Sequence, residues 1–310
     1  MSLKKVCLLV FIAVMVVCQV SPGETWYLKD GAFTALDSES QSLYLRDVAD
    51  IKNLASMGEC RELKKAVEKL KADFPDMAGE DFEAFLKADM YFCKHQYTKA
   101  IRAYDKFLED YPQSSLFDAA LERQYQIGSA YLNGEKRRVL LVFSMKGYAS
   151  GEKIMEKLSD MEGDSPLAIN AAKEIAVSYE NRSEYKNAYM QWSYISSHWP
   201  YGDIGKESLL SMGRCKHAAY KGPRYDNSNL VSARSYYEKF IVRYPEDASG
   251  YGISDKTSQI TEQLAYKEFT IAQYYQRTGY AHSAEFYYKM ILEKWPDSTT
   301  AEMVRRVNEN

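Results

Sequence analysis

The sequence predicts an all-α fold, a right-handed solenoid of about six helical hairpins, on three observations. A six-residue skeleton recurs three times at identical spacing: Ala88–Tyr91–Ala100–Tyr104–Phe107–Pro112, Ala176–Tyr179–Ala188–Trp192–Ile195–Pro200 and Ala272–Tyr275–Ala284–Tyr288–Ile291–Pro296. Prolines punctuate the chain at the same phase, at 75, 112, 166, 200, 245 and 296. Helix-start residues stand where that phasing needs them, at Ser38, Ser114, Ser165 and Ser298. Coincident registers at a fixed period mean an internal repeat. Small residues let two helix backbones approach while aromatics fill the space beside them, and proline cannot continue a helix.

Taken in order, Lys4 and Lys5 precede an uninterrupted apolar run from Val6 to Cys18. The run is too short to span a bilayer and reads as a secretory signal over residues 1–18. Cys18 stands where lipoprotein signals place the acylated cysteine, although Met15–Val16–Val17 lacks the small residue expected directly before it. Ordinary cleavage nearby, after Gly23 for instance, is the alternative, with Cys18 discarded. Residues 19–37 hold Trp26, Tyr27 and Gly31 without helical periodicity and are expected to be a linker, with Trp26 available to dock on the first hairpin. Residues 38–310 form the solenoid.

Ser38 with Gln41 is a capping-box pattern that opens the first helix. The first hairpin is the most degenerate, with Val67, Leu70 and Pro75 in register but Leu63 at the small-residue position. Gly128 and Tyr131 supply a first-helix half, expected to pair with Ile154, Leu158 and Met161. Ser165–Pro166 places an N-cap before a first-turn proline. Gly213 begins a further hairpin, completed by Ala233–Tyr237–Phe240–Pro245. After Ser298 a short charged stretch with Arg305, Arg306 and Glu309 suits a polar end-cap. The quoted skeletons resemble the tetratricopeptide repeat.

Two insertions interrupt the period. Residues 133–148 contain Lys136–Arg137–Arg138 followed by Val139–Leu140–Leu141–Val142–Phe143, with the basic residues expected to be exposed and the apolar run expected in the core. Gly222–Pro223–Arg224–Tyr225–Asp226–Asn227 has the composition of a surface loop.

The 310 residues are 46% hydrophobic and 14% aromatic, ample for a packed core. A net charge of −3 argues against general nucleic-acid binding. Cys60, Cys93 and Cys215 match no metal framework. Cys60 and Cys93 lie in neighbouring hairpins, where they either meet as a disulfide or serve as small packing residues. His95, His198, His217 and His282 are scattered, and Cys215-x-His217 puts its two side chains on different helix faces. The Gly147–Gly151 stretch lacks the Gly-x-Ser-x-Gly spacing of a nucleophile elbow. No phosphate-cradling glycine loop is present. The expectation is a non-enzyme, without cofactor, metal or small-molecule substrate.

Repeat arrays of this kind present the first helices of successive hairpins along a groove. Counting along those helices from the small-residue position names Phe82, Phe85, Asp89 and Phe92, then Tyr125 and Ser129. Asn170, Lys173 and Val177 follow, and Tyr266, Phe269 and Gln273 lie near the far end. The aromatic cluster would suit an extended or helical peptide with apolar anchors, or would pack on a neighbouring helix.

The phrase Tyr97-x2-Ala100-Ile101-x2-Tyr104-x2-Phe107-Leu108-x2-Tyr111–Pro112-x-Ser114, echoed by Tyr236–Tyr237-x2-Phe240-x3-Tyr244–Pro245 and Tyr287–Tyr288-x6-Trp295–Pro296-x-Ser298, resembles the BamD-type outer-membrane assembly lipoproteins. The likeness runs over about residues 40–305. Six hairpins, two insertions and the residues before Cys18 depart from that family, and periplasmic cell-division coordinators share the Phe-Leu-x2-Tyr-Pro phrase. The resemblance implies a periplasmic scaffold, lipid-anchored to the outer membrane through Cys18, whose partner is a subunit of a β-barrel assembly machine. The alternative is a periplasmic adaptor for another envelope or cell-division partner.

Overall fold

The computed structural model describes residues 26–29, 32–35, 38–75, 79–138 and 144–309. Among these the chain is an all-α helical solenoid of fourteen helices, with no sheet beyond two short two-stranded ribbons. Hairpin one is α1 (Ser38–Met57) and α2 (Cys60–Asp73), and hairpin two is α3 (Glu80–Cys93) and α4 (Tyr97–Asp110). Next come α5 (Phe117–Leu132) with α6 (Tyr148–Glu162), α7 (Pro166–Asn181) with α8 (Tyr185–His198), and α9 (Gly202–Ala218) with α10 (Ser228–Arg243). A single turn, α11 (Pro245–Ala248), leads to α12 (Ile253–Arg277) and α13 (Ala281–Lys294), and α14 (Thr299–Glu309) follows the last hairpin. The chain divides into two compact units, residues 1–123 and 124–310.

Helix ends follow one rule. The first helices α1, α3, α5, α7 and α12 are each followed by a residue of positive φ: Gly58, His95, Gly134, Ser183 and Gly279. In each turn this residue and its successor donate back into the last helical turn, as in His95 N to Phe92 O (2.8 Å) and Gln96 N to Tyr91 O (2.9 Å). These bonds satisfy carbonyls that a helix end otherwise leaves orphaned. Five second helices stop at an aromatic residue before proline: Phe74, Tyr111, Trp199, Tyr244 and Trp295. The following proline keeps that residue out of the α region. Pro166 differs, opening α7 behind the Ser165 cap, whose hydroxyl accepts from Ala168 N at 3.1 Å. Ser298 caps α14 in the same way, accepting from Ala301 N at 3.0 Å.

The skeleton forms the core. Ala176 and Ala188 face each other within one hairpin, beside Trp192 and Ile195, all without solvent exposure. Ala88, Ala100, Tyr104 and Phe107 do the same in unit one, and Ala272, Ala284, Tyr288 and Ile291 in the last hairpin. At Gly213 an added Cβ would stand 2.8 Å from the Tyr237 ring, so glycine permits that crossing.

Three expectations change. In α6 the buried positions are Gly151, Met155 and Leu158, whereas Met161 is exposed. The expected Ile154–Leu158–Met161 register is therefore three residues out, with Leu158 buried at the last position of the pattern and not the middle one. Gly151 is the small residue, since a Cβ there would come 2.8 Å from Gly128 O. The first insertion is a β-ribbon of β3 (Lys136–Arg138) and β4 (Ser144–Lys146), its Lys136 and Arg137 exposed as expected, while the supposed core run Val139–Phe143 lies outside the described residues. The stretch expected as linker contains an antiparallel hairpin, β1 (Trp26–Lys29) with β2 (Ala32–Ala35). Cys18, the rest of the signal segment and the side chains of the Ser38–Gln41 capping pattern also lie outside the described residues.

A disulfide joins Cys60, at the start of α2, to Cys93, at the end of α3, with Cα atoms 5.6 Å apart. Of the alternatives the sequence leaves open for these two cysteines, the bridge is the one formed. Cys215 is free and buried.

Candidate functional site

Three first helices of unit one, α1, α3 and α5, wall a small apolar cleft of 80 Å³. Val48 and Ile51 come from α1, Phe82 and Phe85 from α3, and Leu116 with Ala119 from the start of α5. Helical spacing puts Phe82, Phe85 and Asp89 on one stripe of α3. Of the twelve expected groove positions, these three line the cleft, but as nearly covered walls. Phe85 packs on Tyr104 (5.8 Å) and Phe107 (5.7 Å) of its own hairpin. Phe92 is withdrawn altogether, against Tyr97 and under the Arg123 guanidinium. Of the two readings the sequence leaves open for the α3 aromatics, packing on a neighbouring helix describes Phe85 and Phe92, with one opening beside Phe82 and Phe85.

The cleft floor is ionic. Asp89, 1% exposed, receives a fork from Arg123, with Nε at 3.0 Å and Nη2 at 3.3 Å, and the Tyr104 hydroxyl. Arg123 also donates to Ser56 Oγ (2.9 Å) and to Lys52 O (3.2 Å). Both Asp89 oxygens and all three Arg123 nitrogens thus meet a partner, as burial of charge requires. Burial, and then the negative Asp89, push the Tyr104 phenol well above its usual pKa. At the rim Lys52 pairs with Glu122 at 2.6 Å, both half exposed. On α3, outside the cleft lining, Asp81 accepts from Ser114 at 2.5 Å. Burial, and next Asp81, raise the pKa of Tyr44, which lines the same cleft.

In unit two the expected groove positions separate. Tyr125 and Ser129 on α5 donate to Glu174 on α7 at 3.4 and 3.5 Å. Burial, and then Glu174, bring the Tyr125 pKa to about 12. Lys173 is held by Glu207 of α9 at 2.7 Å. Asn170, Tyr266 and Gln273 are exposed and Val177 is half-buried. Phe269 belongs to the core of the last hairpin, between Tyr266 and Tyr288, and leaves the groove set. Sequence reasoning missed Glu180, whose carboxylate takes Trp192 Nε1 (2.5 Å) and a fork from Arg214 (2.7 and 2.8 Å). Its signal was spacing. Asp89–Arg123, Lys173–Glu207 and Glu180–Arg214 are each 34 residues apart, the length of one repeat.

Among the described residues no three His, Cys, Asp or Glu side chains gather as a metal site. Cys215 has its pKa pushed up to about 12, chiefly by burial, then by Glu180, so its thiol stays protonated and unreactive. No helix among the described residues is long and apolar enough to cross a membrane.

A stack of helical hairpins with an apolar cleft across its first helices belongs to the class of repeat proteins that bind other proteins. Within it, residues 84–114 match the family model described as Tetratricopeptide repeat, which makes the α3–α4 hairpin one such repeat. Solved structures similar to the chain include the C-terminal part of a TPR repeat-containing protein from Cytophaga hutchinsonii, 17% identical over 86% of this chain and 98% of that one, with a TM-score of 0.40. PilW, described as a widely conserved type IV pilus biogenesis factor, is 13% identical over 84% of this chain and 98% of its own, with a TM-score of 0.31. A tetratricopeptide repeat protein from Parabacteroides merdae is 8% identical over 88% and 100%, with a TM-score of 0.35. No curated protein matches the chain.

Proposed function

We propose that this chain is an exported, non-enzymatic scaffold that holds an apolar segment of a partner protein in the cleft of unit one. The observation that carries the reading is the cleft itself, an apolar opening across the first helices of three successive hairpins, lined by Phe82, Phe85, Ile51 and Ala119. Its volume suits one aliphatic side chain, and the rim charges Lys52 and Glu122 suit the polar backbone of the segment carrying it. Within unit two, Asn170, Tyr266 and Gln273 are exposed on first helices of their own hairpins. The Cys60–Cys93 disulfide supports an oxidising compartment, and with Lys4, Lys5 and the apolar run to Cys18 supports export. Acylation at Cys18 would then anchor the protein to the outer membrane, with β-barrel assembly as the process it serves, on the strength of the sequence resemblance. Binding of an unfolded β-barrel protein tests the reading, measured with the native chain and with Ala119→Trp, which fills the cleft from a half-buried wall. The variant should fold normally and bind at least ten-fold more weakly, about the effect of losing one anchor. Equal binding by both proteins rejects the cleft. Equal capture of an unrelated unfolded protein rejects the β-barrel substrate.

A further inference from the structure

The ribbon between α5 and α6 carries a surface that the scaffold reading does not use. It is rooted firmly. Gly147 N donates to Glu135 O at 2.9 Å, closing the ribbon base. A Cβ on Gly147 would stand 2.2 Å from the Tyr131 ring, so only glycine lets β4 lie flush on α5. Just beyond, the Arg182 guanidinium sits between the rings of Tyr148 (4.3 Å) and Tyr179 (4.7 Å) and is bound by Glu152 (2.9 Å). What the rooted ribbon presents is basic. Lys136 pairs directly across from Lys146, and Arg137 across from Met145, all four side chains exposed. Like charges directly opposite on a ribbon repel. Glu152 and Glu184 are engaged by Arg182, and Glu135 at the ribbon base is exposed. Arg137 is oriented by Ser150 at 3.2 Å, and Lys146 by the Tyr148 hydroxyl at 3.1 Å.

We infer that this ribbon is a docking surface for an anionic lipid membrane. Charge complementarity calls for an anionic partner, and the chain's net charge of −3 makes the attraction local to the ribbon rather than a property of the whole protein. Met145, 61% exposed among the cations, favours a lipid surface over a nucleic acid, because only the former offers an apolar layer directly beneath its charges. The inference is independent of the partner cleft and of any acyl chain on Cys18. It names the way an exported scaffold would hold its orientation at a membrane, since one acyl chain binds only marginally and a basic patch supplies a second attachment.

Co-sedimentation of the chain carrying Cys18→Ser with phosphatidylcholine vesicles, with and without phosphatidylglycerol, tests this. The N-terminal apolar run contributes equally to every ribbon variant, so differences between variants are the readout. Phosphatidylglycerol should strengthen binding, and added salt should weaken it. Lys136→Gln with Lys146→Gln should reduce that binding about five-fold per lysine without changing the melting temperature. Met145→Ser should weaken it on anionic vesicles while leaving the salt dependence in place. Binding indifferent to phosphatidylglycerol, or unchanged in the double variant, overturns the inference. So does competition by millimolar inorganic phosphate or tighter capture by duplex DNA, since either would mark a site for free or nucleic-acid phosphate.

Discussion

Ser183 and His95 occupy the left-handed position that Gly58, Gly134 and Gly279 hold in sister hairpins, at φ of 60° and 53°. A side chain there costs about 1 kcal/mol relative to glycine. Ser183 is exposed and its hydroxyl makes one long contact with Tyr185 (3.4 Å), so Ser183→Gly should stabilise the protein by about that amount. Gly279→Ala, at φ 84°, should do the reverse, both read from chemical denaturation midpoints. Arg123 is a harsher test. Truncating Arg123→Ala strands the Asp89 carboxylate, which should cost about 3–5 kcal/mol, whereas Asp89→Leu combined with Arg123→Met should cost much less, because the penalty lies in the unpaired charge. Buried acids of unit two contribute to the alkaline limit. Burial holds Cys215 and Tyr237 near 12 instead of their ordinary 9.0 and 10.0, so the fold keeps protons that the unfolded chain releases. Their contribution is complete below about pH 9 and is lost as pH rises toward 12, so the melting temperature should fall across that window. A melting temperature that stays flat to pH 11 would remove these two groups as the cause.

At the scale of elements, the sequence was most legible where packing repeats. Alanine, aromatic and proline at fixed offsets report directly on hairpin closure, so the skeleton alanines and the second-helix aromatic and apolar residues found their places in the core, with the first-helix tyrosines half-buried and Pro112 and Pro296 exposed. Leu63 could be read as a poor match, yet it is fully buried at its register position. Degeneracy there changed the residue and left the geometry intact. Legibility failed where a short-range signal was weighed against a helical period. Asp30–Gly31 is the sequence cue for a tight hairpin, between strands now seen at Trp26–Lys29 and Ala32–Ala35. Gly151-x3-Met155-x2-Leu158 repeats the second-helix pattern with glycine for alanine and methionine for the aromatic, which hid it behind a spurious apolar triplet. The groove was only partly legible for a different reason: periodicity gives the face of a helix, and on α3 that face also packs on its own hairpin partner. The α6 correction is testable. Gly151→Val should destabilise the protein by about 1–3 kcal/mol through forced separation of α5 and α6, while Met161→Ser, on the exposed face, should be nearly neutral.

For the molecule as a whole, stability need not be shared evenly between the two units, because the one disulfide among the described residues lies within residues 1–123. It bridges a sequence separation of 33, from the start of α2 to the end of α3, and so ties the most degenerate hairpin to its neighbour. A loop of that length, closed in the unfolded chain, is worth about 3–4 kcal/mol. Hairpin one gains from that support: among the described side chains of α1 only Ala55 is near zero exposure, whereas the α7–α8 hairpin encloses Trp192 and Ile195 completely. Reduction, or Cys60→Ser with Cys93→Ser, should therefore lower the unfolding temperature of unit one selectively and split a single transition in two. Hydrogen exchange resolved by peptide should show α1 and α2 losing protection first, with α7 to α10 unchanged under the same conditions. Because α1 and α3 form two walls of the cleft, the reduced protein should also lose affinity for its partner segment at temperatures where unit two remains folded. Uniform loss of protection along the whole chain would mean that repeat-to-repeat coupling, and not the covalent bridge, sets the stability of unit one.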